Sequence, residues 1–333
     1  MNSILSPIVL AASSRWQSNS QAGDPACAVT VGNFDGVHLG HAAIIKQLLA
    51  MAHRLDMPAA AFTFDPHPAT IVRPQTAPIP LSTPHRRAEL LLSLGVDAVI
   101  VQPATKALMG LEAKIFYAEI LRGRLRARGI VEGPDFRFGA NRTGDIALLA
   151  ALCRADGVAI ETVDPVLVDG EPVSSSRIRG LIASGNVSEA AALLTAPYRL
   201  SGRVIEGAKR GGPLGFPTAN LAEIQTLLPA GGVYAARVTV AESRADTIVG
   251  VGGQKFWLAA VHIGPTLSFG GTVTTVEAHL IGYSGNLYGE SLDIDFLQRL
   301  RETQKFGTID ELKSQLADDV ASAARIAAVR SEP

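Results

Sequence analysis

Two histidines stand three residues apart in the segment GNFDGVHLGH (residues 32–41). The segment follows an apolar run that predicts a strand and precedes a pattern that predicts a helix, so its backbone amides and the helix dipole should face an anion such as phosphate. His38 and His41 would lie beside that phosphate, and Gly40 would let it approach the backbone. Two imidazolium donors would neutralise charge developing on a nucleotide's α-phosphate during nucleotidyl transfer. The alternative is a turn whose histidines only cap a helix.

Two later segments carry polar side chains that could reach the same cleft. TFDPHP ends a predicted strand with Asp65 and His67, for which a buried ion pair or a turn cap is the alternative. PDFRFGANRTGD follows another strand and offers Asp135, Arg142 and Asp145 in a glycine-punctuated loop, which composition alone would describe as solvated.

The segment VSSSRIRG predicts a second phosphate clamp. It places the hydroxyls of Ser174, Ser175 and Ser176 at the start of a helix, with Arg177 and Arg179 behind them. Helix N-termini and arginine side chains both bind phosphate. The alternative is that the serines form an ordinary N-cap of the helix.

A glycine-rich loop in the second half, GAKRGGPLGFPTANL, suits nucleotide phosphates because few side chains obstruct its backbone. It lacks the Walker pattern GxxxxGK[ST]. Thr218 and Asn220 stand on alternate residues within it, so in an extended chain their oxygens point the same way and suit a magnesium ion shared with phosphates. A bare Pro-Thr-Ala-Asn is otherwise more typical of a turn.

The elements that must position these residues differ between the two halves. From about residue 27 to 185, apolar runs alternate with helical patterns, which predicts a doubly wound parallel sheet whose ligand lies beyond the carboxyl ends of its strands. The predicted strands include 27–32, 59–64 and 96–101, and the predicted helices are 41–55, 84–94 with Thr83 as its cap, 111–128 stopped at Gly129, 145–156 and 175–184 closed by Gly185.

After residue 200 the apolar period changes to two, which predicts a small antiparallel barrel built from GRVIEG, GVYAARVTV, TIVGV, KFWLAAV, TVEAHLIG and LDIDFL. A terminal helix should begin at about Ile309, with Thr308 and Glu311 as its capping box. Its apolar stripe should pack on the barrel through Ile309, Leu312, Leu316 and Val320. The expected organisation is an extension at 1–26, a first domain at 27–185, a linker at 186–199 and a second domain at 200–330.

Length and composition fit this division. A chain of 333 residues predicts two domains at roughly 150 residues each. Its 31 acidic and 30 basic residues give a net charge of −1, which provides no polybasic field for nucleic acid or anionic lipid. Two cysteines, Cys27 and Cys153, cannot form a disulfide framework, and no apolar stretch reaches the roughly 18–20 residues of a membrane span. We expect a cytoplasmic protein that binds small molecules, not nucleic acid or membrane, with homo-oligomerisation left open.

The motifs together resemble a known family. GNFDGVHLGH, FDPHP, DFRFGxxRxGD and SSSRIR resemble the N-terminal adenylyltransferase module of bacterial bifunctional riboflavin kinase/FAD synthetases. LGFPTANL, PAGGVYA, HIGPTLSF, VEAHLIGYSGNLYG and LRETQKF resemble the riboflavin kinase domain. The resemblance spans about residues 27 to 325, and GFPTAN is its most specific part.

The resemblance implies two reactions. In the barrel, Thr218 and Asn220 would bind magnesium-ATP, and Glu277 would take the proton from the riboflavin 5′-hydroxyl as it attacks the γ-phosphate to give FMN. Without the family, Glu277 would be an outward-facing strand residue. In the first domain, the FMN phosphate would attack the α-phosphate of a second ATP, giving FAD and pyrophosphate.

The site residues implied by the resemblance fall into four groups. The catalytic group is His38, His41 and Glu277, and the metal group is Thr218 and Asn220. Phosphate contacts are expected from Gly32, Asn33, Gly40, Ser174, Ser175, Ser176, Arg177, Arg179, Gly207 and Gly215. Flavin contacts are expected from Asp65, His67, Asp135, Arg142, Asp145 and Arg301.

The chain departs from the family pattern mainly on the kinase side. It has HIGPTLSF where the family usually has NIGxxPTF, so the residues that differ from the family pattern are His262, Leu267 and Ser268. It also has Gly212 where arginine is common. Ser176 replaces the threonine of SST and keeps a hydroxyl. A second hypothesis therefore keeps adenylyl transfer alone and makes the barrel a flavin-binding regulatory module. A third hypothesis, a non-catalytic flavin carrier or sensor, has no need for the retained histidines and Glu277.

Overall fold

A computed structural model of the chain describes residues 7–17, 25–207, 215–240, 256–268 and 271–329. The chain divides into two compact units, Met1–Ser175 and Ser176–Pro333, and the division falls inside the serine-rich segment. The finer boundaries predicted at 26, 185 and 199 remain a prediction.

The strands of the first unit are β1 (Ile8–Ala11), β2 (Cys27–Val31), β3 (Ala59–Asp65), β4 (Ala98–Pro103), β5 (Ala127–Glu132), β6 (Arg137–Phe138), β7 (Gly144–Asp145), β8 (Ala159–Thr162), β9 (Leu167–Val168) and β10 (Glu171–Pro172). Its helices are α1 (Ser14–Gln17), α2 (Leu39–Arg54), α3 (Pro68–Val72), α4 (Pro84–Ser93), α5 (Lys106–Met109), α6 (Ala113–Ile115), which continues as a π-helix at Phe116–Arg124, and α7 (Ile146–Ala155). Short 3₁₀ turns lie at Pro74–Thr76 and Ala140–Arg142.

Six of these strands form one sheet in the order β1-β4-β3-β2-β5-β8, and every pair except β1 with β4 is parallel. Strands β2, β3 and β4 are buried almost throughout, as expected for parallel strands covered on both faces. The chain runs from β2 through β3 to β4 and then crosses to β5 on the other side of β2. The strand order therefore reverses between β2 and β5, and a ligand crevice is expected at their carboxyl ends.

The structure adds one detail to the predicted first unit and corrects another. The expected extension contributes β1, whose Ile8 lies opposite Val101, so the sheet has an antiparallel edge. The helix predicted at 111–128 ends at Arg124, and Gly129 lies inside β5. A Cβ on Gly129 would overlap the side chains of Met51 and Leu55, so this glycine allows close packing of α2 on the sheet and does not end a helix.

The second unit contains α8 (Ser175–Ala183, which starts at the last residue of the first unit), α9 (Val187–Leu193), β11 (Arg199–Ile205), β12 (Ala219–Ala222), β13 (Gly232–Val240), β14 (Trp257–Ser268), β15 (Gly271–Leu280), β16 (Ser291–Arg301) and α10 (Ile309–Val329). The strands close into an antiparallel barrel in the order β11-β12-β15-β14-β13-β16. The predicted strand TIVGV lies outside the described residues. The predicted fold class, a doubly wound and mainly parallel sheet followed by an antiparallel barrel and a terminal helix, is confirmed.

Helix α10 packs on the barrel through its later turns. Its capping box is confirmed: the Glu311 N–H donates to the Thr308 hydroxyl at 3.2 Å, and the Thr308 N–H donates to the Glu311 carboxylate at 3.3 Å. Ala323 is buried against the barrel residues Ala235 and Leu297. Ile309 is 64% exposed, so its predicted place in the apolar stripe is wrong. Within the described ranges, no helix is both long enough and apolar enough to cross a membrane.

Candidate active sites

The loop between β2 and α2 is held in place by the buried side chain of Asp35. Its two carboxylate oxygens each accept the Leu81 N–H at 3.0 Å, and one of them also accepts the Ser82 N–H at 3.0 Å. The buried guanidinium of Arg87 lies 4.0 Å away. Phe34 adopts a left-handed φ of 47°, a conformation that costs about 1–3 kcal/mol in a non-glycine residue. The Asp35 hydrogen bonds therefore hold a strained loop in one conformation.

His38 and His41 cap helix α2 through each other. The His41 N–H donates to Nδ1 of His38 at 3.4 Å, the His38 N–H donates to Nδ1 of His41 at 3.3 Å, and the ring centroids stack 3.6 Å apart. Because each Nδ1 accepts a hydrogen bond, a neutral ring carries its proton on Nε2. The two histidines therefore do cap the helix, which leaves each Nε2–H group to be offered to an anion, and their catalytic role stays a prediction.

Burial makes both imidazoles poor bases. It lowers the pKa of His38 to about 4, although the nearby Asp35 carboxylate acts in the opposite direction. Burial, followed by the effects of His38 and Arg87, lowers the pKa of His41 well below its ordinary value. Both rings are therefore neutral at pH 7, and the expectation of two imidazolium donors is wrong. Neutral Nε2–H groups are the donors that this loop provides.

The lowered pKa of His38 predicts an acid loss of stability. Between pH 6.5 and about 4 the unfolded chain binds a proton at His38 that the folded chain does not, so stability present above pH 6.5 is lost as the pH falls. His38→Asn keeps a good N-cap and should remove about 3 kcal/mol of that loss. The free energy of unfolding can be followed through Trp16 fluorescence in a Trp257→Phe background, since the chain has 2 tryptophans. If the free energy of unfolding of wild type and of His38→Asn changed with pH in the same way, the lowered pKa of His38 would be contradicted.

Gly40 makes room for the His38 ring. A Cβ on Gly40 would lie 3.1 Å from Cε1 and Nδ1 of His38 and 3.5 Å from the carbonyl oxygen of Val173. Any larger residue would therefore press on the stacked pair. The role of Gly40 in letting phosphate approach the backbone stays a prediction.

A cavity of about 510 Å³ lies where β2 and β5 end. Asn33 Nδ2 lies 3.0 Å from Nε2 of His67, which joins two of the predicted segments at this cavity. The predicted site residues that line it are Gly32, Asn33, His67, Asp135 and Arg142. Much of the remaining wall is aromatic or cationic, from Phe64, Phe116, Phe136, Phe138, Arg73 and Arg137.

Seven predicted residues of the first unit are not part of that wall: His38, Gly40, His41, Asp65, Asp145, Ser174 and Ser175. The two histidines belong to the same loop as Gly32 and Asn33, and the ring of Phe34 lies 5.1 Å from that of His41. One side of the cavity and the histidine pair are therefore formed by the same loop, and the histidines lie outside the wall of this cavity.

Two predicted flavin contacts also serve as helix caps. The Asp145 carboxylate accepts the Leu148 N–H at 2.9 Å at the start of α7. Nδ1 of His67 accepts the Ala69 N–H at 3.1 Å at the start of α3, so the turn-cap alternative holds for this histidine. Their contact with flavin stays a prediction.

The serine segment reaches the histidine loop through Ser175. Its hydroxyl donates to the carbonyl oxygen of Asp35 at 2.9 Å. The remaining members of the predicted clamp, Ser174, Ser176, Arg177 and Arg179, keep their phosphate role as a prediction.

In the barrel, Glu277 lies beside Thr218 and Asn220. Strands β12 and β15 pair so that Glu277 stands directly opposite Asn220, and the Thr218 hydroxyl is 3.5 Å from Oε2 of Glu277. Hydroxyl, amide and carboxylate oxygens are the ligands that Mg²⁺ prefers. The structure thus brings Glu277 beside two residues that precede it by more than fifty positions in the sequence.

Gly207 is the residue against which the Asn220 side chain rests, since a Cβ at this position would overlap the carboxamide. Gly207→Ala is therefore expected to displace the carboxamide and raise KM for ATP in FMN formation by about 10-fold, the loss of one hydrogen-bonding group. The same change in an Asn220→Ala background should have little further effect. A double variant whose loss equals the sum of the two single-variant losses in free energy would show that Gly207 acts independently of Asn220.

Other predicted residues of the loop are less constrained. Gly215 adopts φ 89° with open space where a Cβ would lie, and its phosphate role stays a prediction. Gly212 and the side chains of Leu267 and Ser268 lie outside the described residues.

Arg301 ties the barrel to the terminal helix. Its guanidinium donates from Nε and Nη2 to the buried Asp319 carboxylate of α10, at 2.9 and 2.7 Å. His262 stands directly opposite Glu277 on β14, and burial lowers the pKa of His262. For Arg301, the predicted contact with flavin stays a prediction.

The buried groups Asp35, Arg87 and Glu132 were missed by the sequence reasoning. Glu132 ends the apolar run GIVE, and Arg87 precedes the apolar face of α4. A charged residue within an apolar pattern was therefore the feature of the sequence that could have indicated these buried groups. Nothing in the sequence indicates that Asp35 pairs with the N–H groups of Leu81 and Ser82.

A helix start with paired Nε2–H donors on a parallel sheet, together with an oxygen-rich cluster on a separate barrel, defines a two-domain transferase that uses nucleotides. A sequence model described as FAD synthetase matches residues 20–177, and one described as riboflavin kinase matches residues 194–327. The chain belongs to the bifunctional riboflavin kinase/FMN adenylyltransferase family.

Relatives of that name match most of the chain. The Pseudomonas fluorescens protein is 36% identical over 91% of this chain and 93% of its own length. The Escherichia coli K12 protein is 33% identical over 90% of this chain and 92% of its own length. A Streptococcus pneumoniae crystal structure described as a macrolide-efflux protein is 28% identical, covers 91% of this chain and 96% of its own, and has a TM-score of 0.78.

Proposed function

We propose that the barrel phosphorylates riboflavin to FMN and that the first unit adenylylates FMN to FAD, each with ATP. The observation that carries the proposal is the meeting of Thr218, Asn220 and Glu277 in the barrel of a chain whose other unit has the paired histidines at a helix start. One cluster suits transfer of a terminal phosphoryl group, and the other suits attack at the α-phosphate. The substrates are small molecules, and the cytoplasm, where ATP and riboflavin are available, is the proposed location.

The cavity of the first unit suits the flavin ring of FMN. Its volume lies in the usual range of about 300–1,000 Å³ for small-molecule sites, and the rings of Phe64, Phe136 and Phe138 offer stacking surface. Arg142, Arg73 and Arg137 supply positive charge on the same wall. A planar apolar ring carrying a phosphate fits this combination.

Adenylyl transfer would then proceed at the histidine loop. An oxygen of the FMN phosphate attacks the α-phosphorus of ATP, and the bond to the pyrophosphate oxygen breaks. The Nε2–H groups of His38 and His41 donate to the α-phosphate oxygens, where negative charge develops. Because both rings are neutral and already fixed by their mutual caps, these donors need no rearrangement before reaction.

In the barrel, Glu277 would accept the proton of the riboflavin 5′-hydroxyl as that oxygen attacks the γ-phosphorus and ADP leaves. Thr218 and Asn220 have the hard oxygen donors that a magnesium ion needs, and they lie beside a carboxylate. They would hold that ion, which when bound would neutralise charge on the ATP phosphates. The protein's own contribution is to place these donors and the base on adjacent strands.

FAD synthesis alone, with the barrel as a regulatory flavin-binding module, is the second candidate. The observation that favours it is the position of His262, in the altered segment HIGPTLSF, directly opposite Glu277. A bulky neighbour at this place would interfere with the base.

Separation of flavins by chromatography distinguishes the two candidates. The protein is incubated with ATP and magnesium and with either riboflavin or FMN. FMN and FAD from riboflavin, with pyrophosphate released in step with FAD, support the proposed pair of reactions. FAD from FMN without any consumption of riboflavin supports the second candidate, and no product from either flavin would overturn both.

A further inference from the structure

The ladder between β2 and β5 stops before the two strands end. Its last pair is Val29 with Ile130, and the same register would place Thr30 opposite Val131 and then Val31 opposite Glu132. Strand β5 instead continues with β8, because Glu132 pairs with Thr162 and the Val163 N–H donates to the Glu132 carbonyl oxygen at 3.0 Å. The sheet therefore opens between β2 and β5 at the switch point, where ligands of such sheets bind.

The side chain of Glu132 closes the gap in that ladder. Its Oε1 accepts the Val31 N–H at 2.6 Å, and both residues are almost fully buried. On the other side of β2, the next N–H, of Gly32, donates to the Phe62 carbonyl oxygen at 3.0 Å. Without Glu132, the buried Val31 N–H would lose its acceptor, at a cost that buried backbone groups rarely bear.

The strand end fixed in this way is a wall of the cavity. Val31, Gly32 and Asn33 line one side of it, and the chain that follows β5, from Asp135 to Arg142, lines another. Glu132 itself is not part of the wall, so it can influence a bound molecule only through the neighbouring residues that it positions. Burial raises the pKa of Glu132 well above its ordinary value, although the hydrogen bonds from the Val31 N–H and the Thr30 hydroxyl act in the opposite direction.

We infer that Glu132 is a positioning residue of the adenylyl-transfer site, whose buried carboxyl group replaces a strand carbonyl at the opening between β2 and β5 and thereby sets the place of Gly32 and Asn33. The inference rests on the proposed adenylyl transfer in the first unit. It assigns a function to a buried acidic side chain that does not line the cavity.

Two variants test this role. Glu132→Gln keeps the size and an oxygen acceptor for the Val31 N–H, whereas Glu132→Leu keeps bulk and removes the acceptor. For conversion of FMN to FAD, kcat/KM of the glutamine variant should stay within about 3-fold of wild type, and that of the leucine variant should fall about 10- to 100-fold, with KM for FMN raised, as expected for an unsatisfied buried N–H. Riboflavin phosphorylation by the same polypeptide is the internal control and should be unchanged in both variants.

The outcomes separate the inference from its alternatives. A leucine variant that unfolds at lower temperature but retains the wild-type KM for FMN would show a merely structural role and overturn the inference. A glutamine variant as impaired as the leucine variant would overturn it too, because it would show that the charge is needed. If Glu132→Leu does not fold by Trp16 fluorescence, Glu132→Met, with a more flexible side chain, takes its place under the same criteria. Failure of the wild-type protein to form FAD from FMN would instead reject the proposed function.

Discussion

Formation of FMN from riboflavin is expected to fall by about 10²- to 10⁴-fold in Glu277→Gln, the range associated with loss of a general base. Glutamine keeps the size of the side chain and its place opposite Asn220 but cannot accept the proton of the 5′-hydroxyl. Formation of FAD from supplied FMN should continue at the wild-type rate, since that chemistry is assigned to the first unit. Flavin chromatography with each substrate in turn measures both rates on one sample.

Glu223→Gln is the matched control for this substitution. Glu223 follows β12, and its side chain is 69% exposed and lies 3.7 Å from Arg203, so its replacement should leave both reactions unchanged. If Glu277→Gln phosphorylates riboflavin as fast as wild type, the base is another group. If it also loses FAD formation from FMN, the assignment of the two reactions to separate units is wrong.

Features that depend on neighbours in sequence were predictable. The apolar runs that became β2, β3 and β4 were correctly placed, because strands buried on both faces are uniformly apolar. The N-cap of α4 at Thr83 and the capping box at Thr308 and Glu311 were correct for the same reason, since a cap acts within one turn of helix.

Features that depend on residues distant in the sequence were not predictable. The apolar residues of β1 carry no information on their antiparallel pairing with β4. From the sequence alone Gly129 is interpreted as the end of a helix, because its packing against Met51 of α2 depends on the fold. In the site, the sequence suggested the two histidines and the two possible roles for them. Burial decided their charge, and burial is a property of the folded chain.

The adjacency of Glu277 and Asn220 illustrates the same limit in the barrel. A sequence with period two indicates which residues share a face of a strand, but register between strands more than fifty residues apart depends on barrel closure. The resemblance to a family supplied the grouping of these residues, and the pairing of β12 with β15 explains it physically.

Replacement of His41 by asparagine is expected to lower the rate of FAD formation from FMN by about 10²- to 10³-fold, the usual effect of removing one donor that stabilises charge in a transition state. Asparagine still offers an oxygen to the His38 N–H, so the start of α2 keeps a cap. It has no donor at the position of Nε2, and the α-phosphate oxygens lose one of their two partners. FMN should therefore accumulate when riboflavin is supplied, since phosphorylation in the barrel does not involve this loop.

His53→Ala in the last turn of the same helix is the control, because this exposed histidine lies away from the loop. It should form FAD at the wild-type rate. The stacked rings give a further criterion: His38→Asn and His41→Asn remove partners of one pair, so the double variant should be little worse than the poorer single variant. Unchanged FAD formation in His41→Asn would remove the histidine pair from the reaction and leave it only as the cap of α2, whereas losses that multiply in the double variant would show two donors acting independently.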